Sequence, residues 1–341
     1  MTTILGKRSG LAALALAGAL ALTACGSGDS TNSGSGSSSS SSAAESTTAA
    51  ATTVTVTDAQ GEVEVPVPAE RIAATDNRIF RTLEAWSVPL VVAPVDLMPD
   101  DLSYASDSAI LNTGTHNEPD LEQFVAGDPD LVLNGQRYSS YYEDIKELVP
   151  DAAVVDTNID VETKPLDEEL RRSITLLGEV LAKPDEAAAL IAEFDASIEA
   201  AKAAYDPGQT VMGLLTSGGD IAYVAPSTGR AIGPVFDVLG LTPALEQEAS
   251  DTSHGDDISV EAIAQSNPDW IFVMDRDAAV GPEEGQEYVS AEELIAESEA
   301  LADVTAVKEG NIIYLPANFY LTEDIQAYTE FFTSITEAMQ G

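Results

Sequence analysis

The 341-residue chain carries 58 acidic side chains against 15 lysines and arginines, a formal net charge of −43 at pH 7. A field this negative repels polyanions and excludes nucleic acid as a partner. The one cysteine has no internal disulfide partner, and with two histidines the chain lacks the His and Cys pairs of a zinc site.

At the amino end, Lys7 and Arg8 precede an apolar stretch over residues 11–22 and the tetrapeptide LTAC ending at Cys25. This is a secretory signal. Its apolar core is shorter than the roughly 20 residues a spanning helix needs. Small residues directly before the lone cysteine resemble the lipobox of bacterial lipoproteins, so residues 1–24 are expected to be removed and Cys25 to take a diacylglycerol. Residues 25–53, dominated by Ser, Gly, Thr and Ala, have no apolar periodicity and form a flexible tether.

The body from residue 54 exceeds the usual size of a single core, and two domains are expected. It opens with TVTVTD, a turn at Gly61 and VEVPVP, a hairpin whose prolines mark an edge. Buried strands are predicted at 72–74, 90–95, 131–133 and 152–155, with helices between them, in a first α/β lobe over 54–184. A long Ala-rich helix over 185–206 comes next, started by Pro184 and stopped by Asp206, Pro207 and Gly208. About 21 residues at 1.5 Å each reach roughly 31 Å, enough for one helix to bridge two lobes. The second lobe, 207–341, has predicted strands at 211–215, 270–274 and 312–315 and a closing helix over 322–339. Strands alternating with helices give two parallel-sheet α/β lobes, with a ligand cleft between them at the carboxyl ends of the strands.

The halves share a plan. LEQFVAGDPDLVL begins at Leu121 and VEAIAQSNPDWIFV at Val260, each a short helix with an early glutamate (Glu122, Glu261), then Pro129 or Pro268, an aspartate and a buried strand. Upstream, the stripe Ile79, Leu83, Trp86 matches Ile232, Phe236, Leu239, each ending at a turn with Pro89 or Pro243.

Loops just past the strand ends carry Arg137, Arg230, Arg276 and Tyr320, with His254 in SDTSHGDD. Arginine suits planar, delocalised anions through its fork of donors, and in so acidic a chain each arginine is informative. His116, in GTHNEP, reads as part of a turn. One His and one Tyr cannot close a metal cage alone, but they can complete the coordination of a ferric ion already held by a chelator. There is no GxSxG elbow, Walker loop, GxGxxG or HExxH, so no catalytic residue is assigned.

The segments VTDAQGEVEVP, GTHNEPDLEQFVAGDPDLVL, SDTSHGDDISVEAIAQSNPDWIFVMDR and IIYLPANFYL resemble the substrate-binding lipoproteins of iron-siderophore ABC importers, in the branch that takes ferric catecholates. The resemblance covers residue 53 to the end. It implies three cleft arginines at Arg137, Arg230 and Arg276, with Arg78 and the neighbouring Tyr138 as further ligand-binding candidates, and His254 and Tyr320 as iron ligands. Where that family has GRQ this chain has Gly135, Gln136 and Arg137, a one-residue shift. Glu122 and Glu261 match the glutamates that dock on the two permease subunits. The resemblance thus implies a monomeric, non-enzymatic, lipid-anchored receptor with no intrinsic cofactor, delivering a ferric siderophore to a permease and its ATPase. Haem, a hydroxamate chelate and a corrinoid are the other ligands weighed. A secreted iron-chelate hydrolase or reductase and a sensory lipoprotein are the other classes.

Overall fold

The computed structural model describes residues 52–247, 255–256, 258–282 and 285–340. The signal, Cys25, nearly all of the tether and His254 lie outside the described residues.

The expected hairpin forms from β1 (Thr52–Thr57) and β2 (Glu62–Val67), an antiparallel pair standing apart from the larger sheets. Its turn is closed by Asp58, whose Oδ1 accepts the backbone N–H groups of Gln60 and Gly61. Next come β3 (Ile72–Ala74), α1 (Phe80–Ala85), β4 (Leu90–Ala93), β5 (Leu111–Asn112), α2 (Glu122–Gly127), β6 (Leu131–Asn134), α3 (Tyr142–Leu148) and β7 (Ala153–Asp156). They build a fully parallel sheet in the order β5-β4-β3-β6-β7. Every residue of β3 and β6 is buried, and all but Asn134 are apolar, as befits strands covered on both faces.

Two helices link the lobes, α4 (Leu166–Val180) and α5 (Pro184–Ala204). Pro184 at the start of α5, Asp185 and Glu186 in its first turn and Lys202 in its last complement the helix dipole. The second lobe runs β8 (Thr210–Ser217), β9 (Asp220–Val224), α6 (Gly233–Leu239), β10 (Thr242–Pro243), α7 (Val260–Ser266), β11 (Trp270–Asp275), α8 (Arg276–Val280), α9 (Ala291–Glu297), α10 (Thr305–Glu309), β12 (Ile312–Tyr314), α11 (Phe319–Thr322) and α12 (Ile325–Gln340). Its sheet has the order β10-β8-β11-β12, all parallel, with β9 added antiparallel to β8 through a tight turn at Gly218 and Gly219.

The repeat read from the sequence is a repeat of structure. The segment β4-β3-β6-β7 of one sheet has the strand order of β10-β8-β11-β12 in the other. In both, the helix before the third strand ends on a left-handed residue, Asp128 or Asn267, followed by the shared Pro-Asp. The aspartate then moors the strand to its neighbour. Asp130 accepts the N–H groups of Glu70 and Arg71 ahead of β3, and Asp269 accepts the N–H and hydroxyl of Thr210 at the start of β8.

The lobes are joined by more than one helix. The α5 helix lies along α12, while α4 packs on α5 and touches both the β1–β2 hairpin and α6. One apolar core passes through this layer, from Ile72, Leu83 and Leu133 in the first lobe through Leu177 and Phe194 to Val211, Phe331 and Phe332 in the second. The opposite face of each sheet has its own smaller core, around Phe124 and Val132 in one and Ile263 and Val273 in the other. Because interiors are close-packed, a core shared by both lobes resists wide hinge opening.

Candidate functional site

The carboxyl ends of the first sheet are capped by a buried polar network. After β3 come Thr75, Asp76 and Asn77, after β6 comes Gly135, and after β7 come Thr157 and Asn158. Thr75 donates to Asn134 Oδ1 at 2.9 Å, Thr157 donates to Asp76 Oδ2 at 2.8 Å, and the Arg78 N–H donates to Asp76 Oδ1 at 2.9 Å. Burial raises the Asp76 carboxyl above its usual range, against the opposing pull of Arg78. A side chain at position 135 would place its Cβ 2.3 Å from Asp76 Oδ2, so the chain passes this network only as glycine. The left-handed Gln136 (φ 47°) then opens a short 3-10 turn over Gln136–Tyr141 that sends Arg137 toward the second lobe.

Three arginines predicted from the sequence meet at one aromatic ring. The guanidinium carbons of Arg230, Arg276 and Arg137 lie 3.9, 5.6 and 5.9 Å from the ring centroid of Tyr320, which is itself buried. The negative face of a phenol ring attracts such cations and lets three of them gather. They come from separate elements: Arg137 from the turn after β6, Arg230 from the loop before α6, and Arg276 from the start of α8. Tyr320 sits in the single turn of α11, just past β12.

A carboxylate completes the group. Glu323, buried and left-handed (φ 42°) at the end of α11, receives Arg230 Nε on one oxygen and Arg78 Nη2 on the other at 3.0 Å. Arg230 also donates to the Tyr320 carbonyl at 3.1 Å. Burial opposes the charge on Glu323, but Arg230 and Arg78 overcome it and hold the carboxyl below its usual range. Arg276 pairs with Asp277 at 3.0 Å and reaches Ser217 at 3.3 Å. Arg137 makes only a 3.1 Å bond to Gln136 and has no carboxylate partner among the described residues. Burial and the nearby Arg230 depress its pKa, with Glu323 pulling the other way.

Beside this group is a cleft of about 1070 Å³, large enough for a chelate of several rings. Its lining joins Arg78, Arg137, Arg230 and Glu323 to a mixed run in which Ile159, Val161 and Leu166 alternate with Glu162, Thr163 and Lys164. Arg276 and Tyr320 are not on its wall and join through the ring contacts. The arrangement can hold a planar anion by charge-assisted bonds while its organic part lies against Ile159, Val161 and Leu166.

Tyr138 is not part of the cleft. Its ring is fully buried, with the hydroxyl shared between Thr113 Oγ1 at 2.9 Å and the Gly114 carbonyl at 3.2 Å. One position past Arg137 on a tight turn, it points into the core of the first lobe. His116 lies in the expected turn, its ring pKa lowered by burial and by Arg137. Glu122 and Glu261 are exposed in the first turns of α2 and α7. No cluster of three or more His, Cys, Asp or Glu suited to a metal ion occurs among the described residues, and no described helix is long and apolar enough to cross a membrane. The sequence does not single out Glu323, one acid of 58. Only its place three residues after Tyr320 marks it.

The chain belongs to the periplasmic binding protein family, whose model matches residues 72–319. It is 26% identical over 276 residues to the petrobactin-binding protein YclQ of Bacillus subtilis, spanning 80% of this chain and 83% of that protein. The crystal structure of YclQ matches with a TM-score of 0.74 at 24% identity, covering 85% of this chain and 99% of that one. The ferric-anguibactin-binding protein FatB of Vibrio anguillarum is 29% identical over 257 residues, 74% of this chain and 77% of its own length. A TroA-like periplasmic binding protein from Xylanimonas cellulosilytica matches with a TM-score of 0.71 at 28% identity, covering 86% of this chain and all of that one.

Proposed function

We propose that this periplasmic binding protein is the receptor of an ABC importer: it captures a ferric siderophore between its lobes and delivers it to a membrane permease with its ATPase. The observation that carries the reading is the meeting of Arg137, Arg230 and Arg276 around Tyr320 at the edge of a large cleft, in a chain whose relatives are named for the ferric siderophores or siderophores they bind. Several arginines facing one cleft suit an anionic chelate, and a ferric catecholate is the anion this site fits best. Binding and release of the intact chelate need no catalytic residue and no resident cofactor. Tyr320, with His254, is assigned to the iron when the chelator leaves coordination positions open.

Glu122 and Glu261 are the docking contacts for the permease. Each stands exposed at the start of a helix that leads back to a parallel strand, so each lies at the strands' carboxyl edge, on the side of its lobe that faces the cleft rim. The anchor is a lipid on Cys25, with acyl chains such as palmitate and the tether between it and the body. The working form is a monomer outside the cytoplasmic membrane.

The test is titration of the body from residue 54 with ferric catecholate, ferric hydroxamate, haem and cobalamin, following tryptophan fluorescence. Trp270 lies at the opposite end of β11 from Arg276, about 20 Å away at strand rise, so a coloured iron chelate quenches it by energy transfer rather than by contact. Submicromolar saturation by the catecholate alone is expected. Preference for another ligand would overturn the assignment of the anion, and no binding at all would overturn the receptor.

A further inference from the structure

Resting on that reading, we propose that Glu323 is a specificity-determining residue: a built-in counter-anion that sets how much ligand charge the cleft accepts. Four arginines gather here, Arg78, Arg137, Arg230 and Arg276, and two carboxylates answer them, Glu323 and Asp277. Asp277 pairs with Arg276 and also accepts the Gly218 N–H at 2.6 Å, so it is held at the start of α8. Glu323 spans two guanidiniums with its two oxygens, one on Arg78 and one on Arg230, and it stands on the cleft wall beside both. It therefore occupies the seat that a bidentate ligand oxygen pair would take between those cations. With Glu323 ionised these six side chains, counted apart from Glu162, Lys164 and Asp237 elsewhere on the cleft wall, sum to a formal charge of two positives; without it they sum to three.

The setting keeps that charge in place. Glu323 is buried, its two arginine partners hold it ionised, and its left-handed backbone fixes the side chain at the end of a one-turn helix closed by an N–H bond back to Phe319. Arg78 belongs to the first lobe and Arg230 to the second, so the carboxylate is read by both walls at once. A ligand must either leave this bridge intact and bind Arg137 and the Arg276 side, or displace Glu323 from both of its paired arginines and compete with it for Arg137, the remaining cation close enough to act on it. The second route breaks two buried ion pairs, and the cost falls on ligands needing the most cations.

The test compares two ferric chelates of known charge on the same protein: a bis-catecholate complex, formally −1, and a tris-catecholate complex, formally −3. Their relative affinity is measured for the wild type, Glu323→Gln and Arg78→Gln. Glu323→Gln is expected to move the ratio toward the tris-catecholate by at least about tenfold, since two unit charges of difference acting on one site charge at about 6 Å give that much even at the dielectric of water. Arg78→Gln must move the ratio the other way. Thermal midpoints are recorded for each variant, and a structural role alone would weaken both chelates by the same factor. An unchanged ratio in Glu323→Gln, or shifts of the same sign in both variants, overturns the inference while leaving the receptor standing. Failure of the wild type to bind either chelate instead removes the catecholate assignment on which the inference rests.

Discussion

Replacing Arg137 with glutamine separates ligand binding from stability. Arg137 has no carboxylate partner among the described residues, and burial together with Arg230 depresses its pKa below the ordinary guanidinium value. A lowered folded-state pKa means the charged form is favoured less in the folded than in the unfolded chain, so at neutral pH this charge lowers stability. Arg137→Gln should leave the thermal midpoint unchanged or slightly higher. Losing a charge-assisted bond to an anion costs about 1.5–3 kcal/mol, which weakens a ferric catecholate roughly 10- to 150-fold. Arg230→Gln behaves differently, because it also removes one of the two cations on buried Glu323. That change should cost about 1–3 kcal/mol of stability, or a midpoint lower by roughly 2–10 °C for lobes of this size. Calorimetric unfolding and ligand titration of both variants provide the comparison. A large drop in midpoint for Arg137→Gln with unaltered affinity would refute the reasoning and make Arg137 a structural residue.

Asp324, buried beside Arg81 and capping α12 through the Ala327 N–H, has its carboxyl pushed up to about 6 by burial. Its raised pKa means stability falls as pH rises from about 4 to 6. Asp324→Asn should remove that slope and gain of the order of 2 kcal/mol relative to the wild type at pH 7, as followed by urea unfolding across that range. Asp130→Ala and Asp269→Ala, which cut the mooring bonds of the repeat, should each cost about 1–2 kcal/mol in urea unfolding without changing chelate affinity. Joint replacement of Glu122 and Glu261 by alanine should abolish iron-chelate uptake in cells and leave affinity intact; lost affinity would make those glutamates structural.

The buried strands are legible because the chain writes them as unbroken apolar runs: β3, β6, β8 and β11 stand where those runs lie. Strands β5 and β10 have two residues each, too few to carry a period, and β10 includes a proline. Strand β9, absent from the sequence reading, does have a signal, since Gly218-Gly219 between two apolar runs is hairpin chemistry with both residues at positive φ. In the site, the arginines are visible as rare cations after strand ends. Tyr138 is wrongly grouped with them because adjacency in sequence says nothing of which way successive side chains leave a 3-10 turn. Glu323 escapes the sequence because its meaning comes from Arg78, 245 positions earlier in the chain.

The arginine group sits at the edge of a cleft in a chain whose net charge is −43, and the two charges act on an arriving ligand at different ranges. An approaching anion meets repulsion first and attraction only within about a Debye length, roughly 8 Å at physiological salt. Salt screens the distant acids along the whole path but the recessed cations little, so encounter should quicken with ionic strength, the reverse of ordinary electrostatic steering. Such a receptor would capture its chelate fastest in brine.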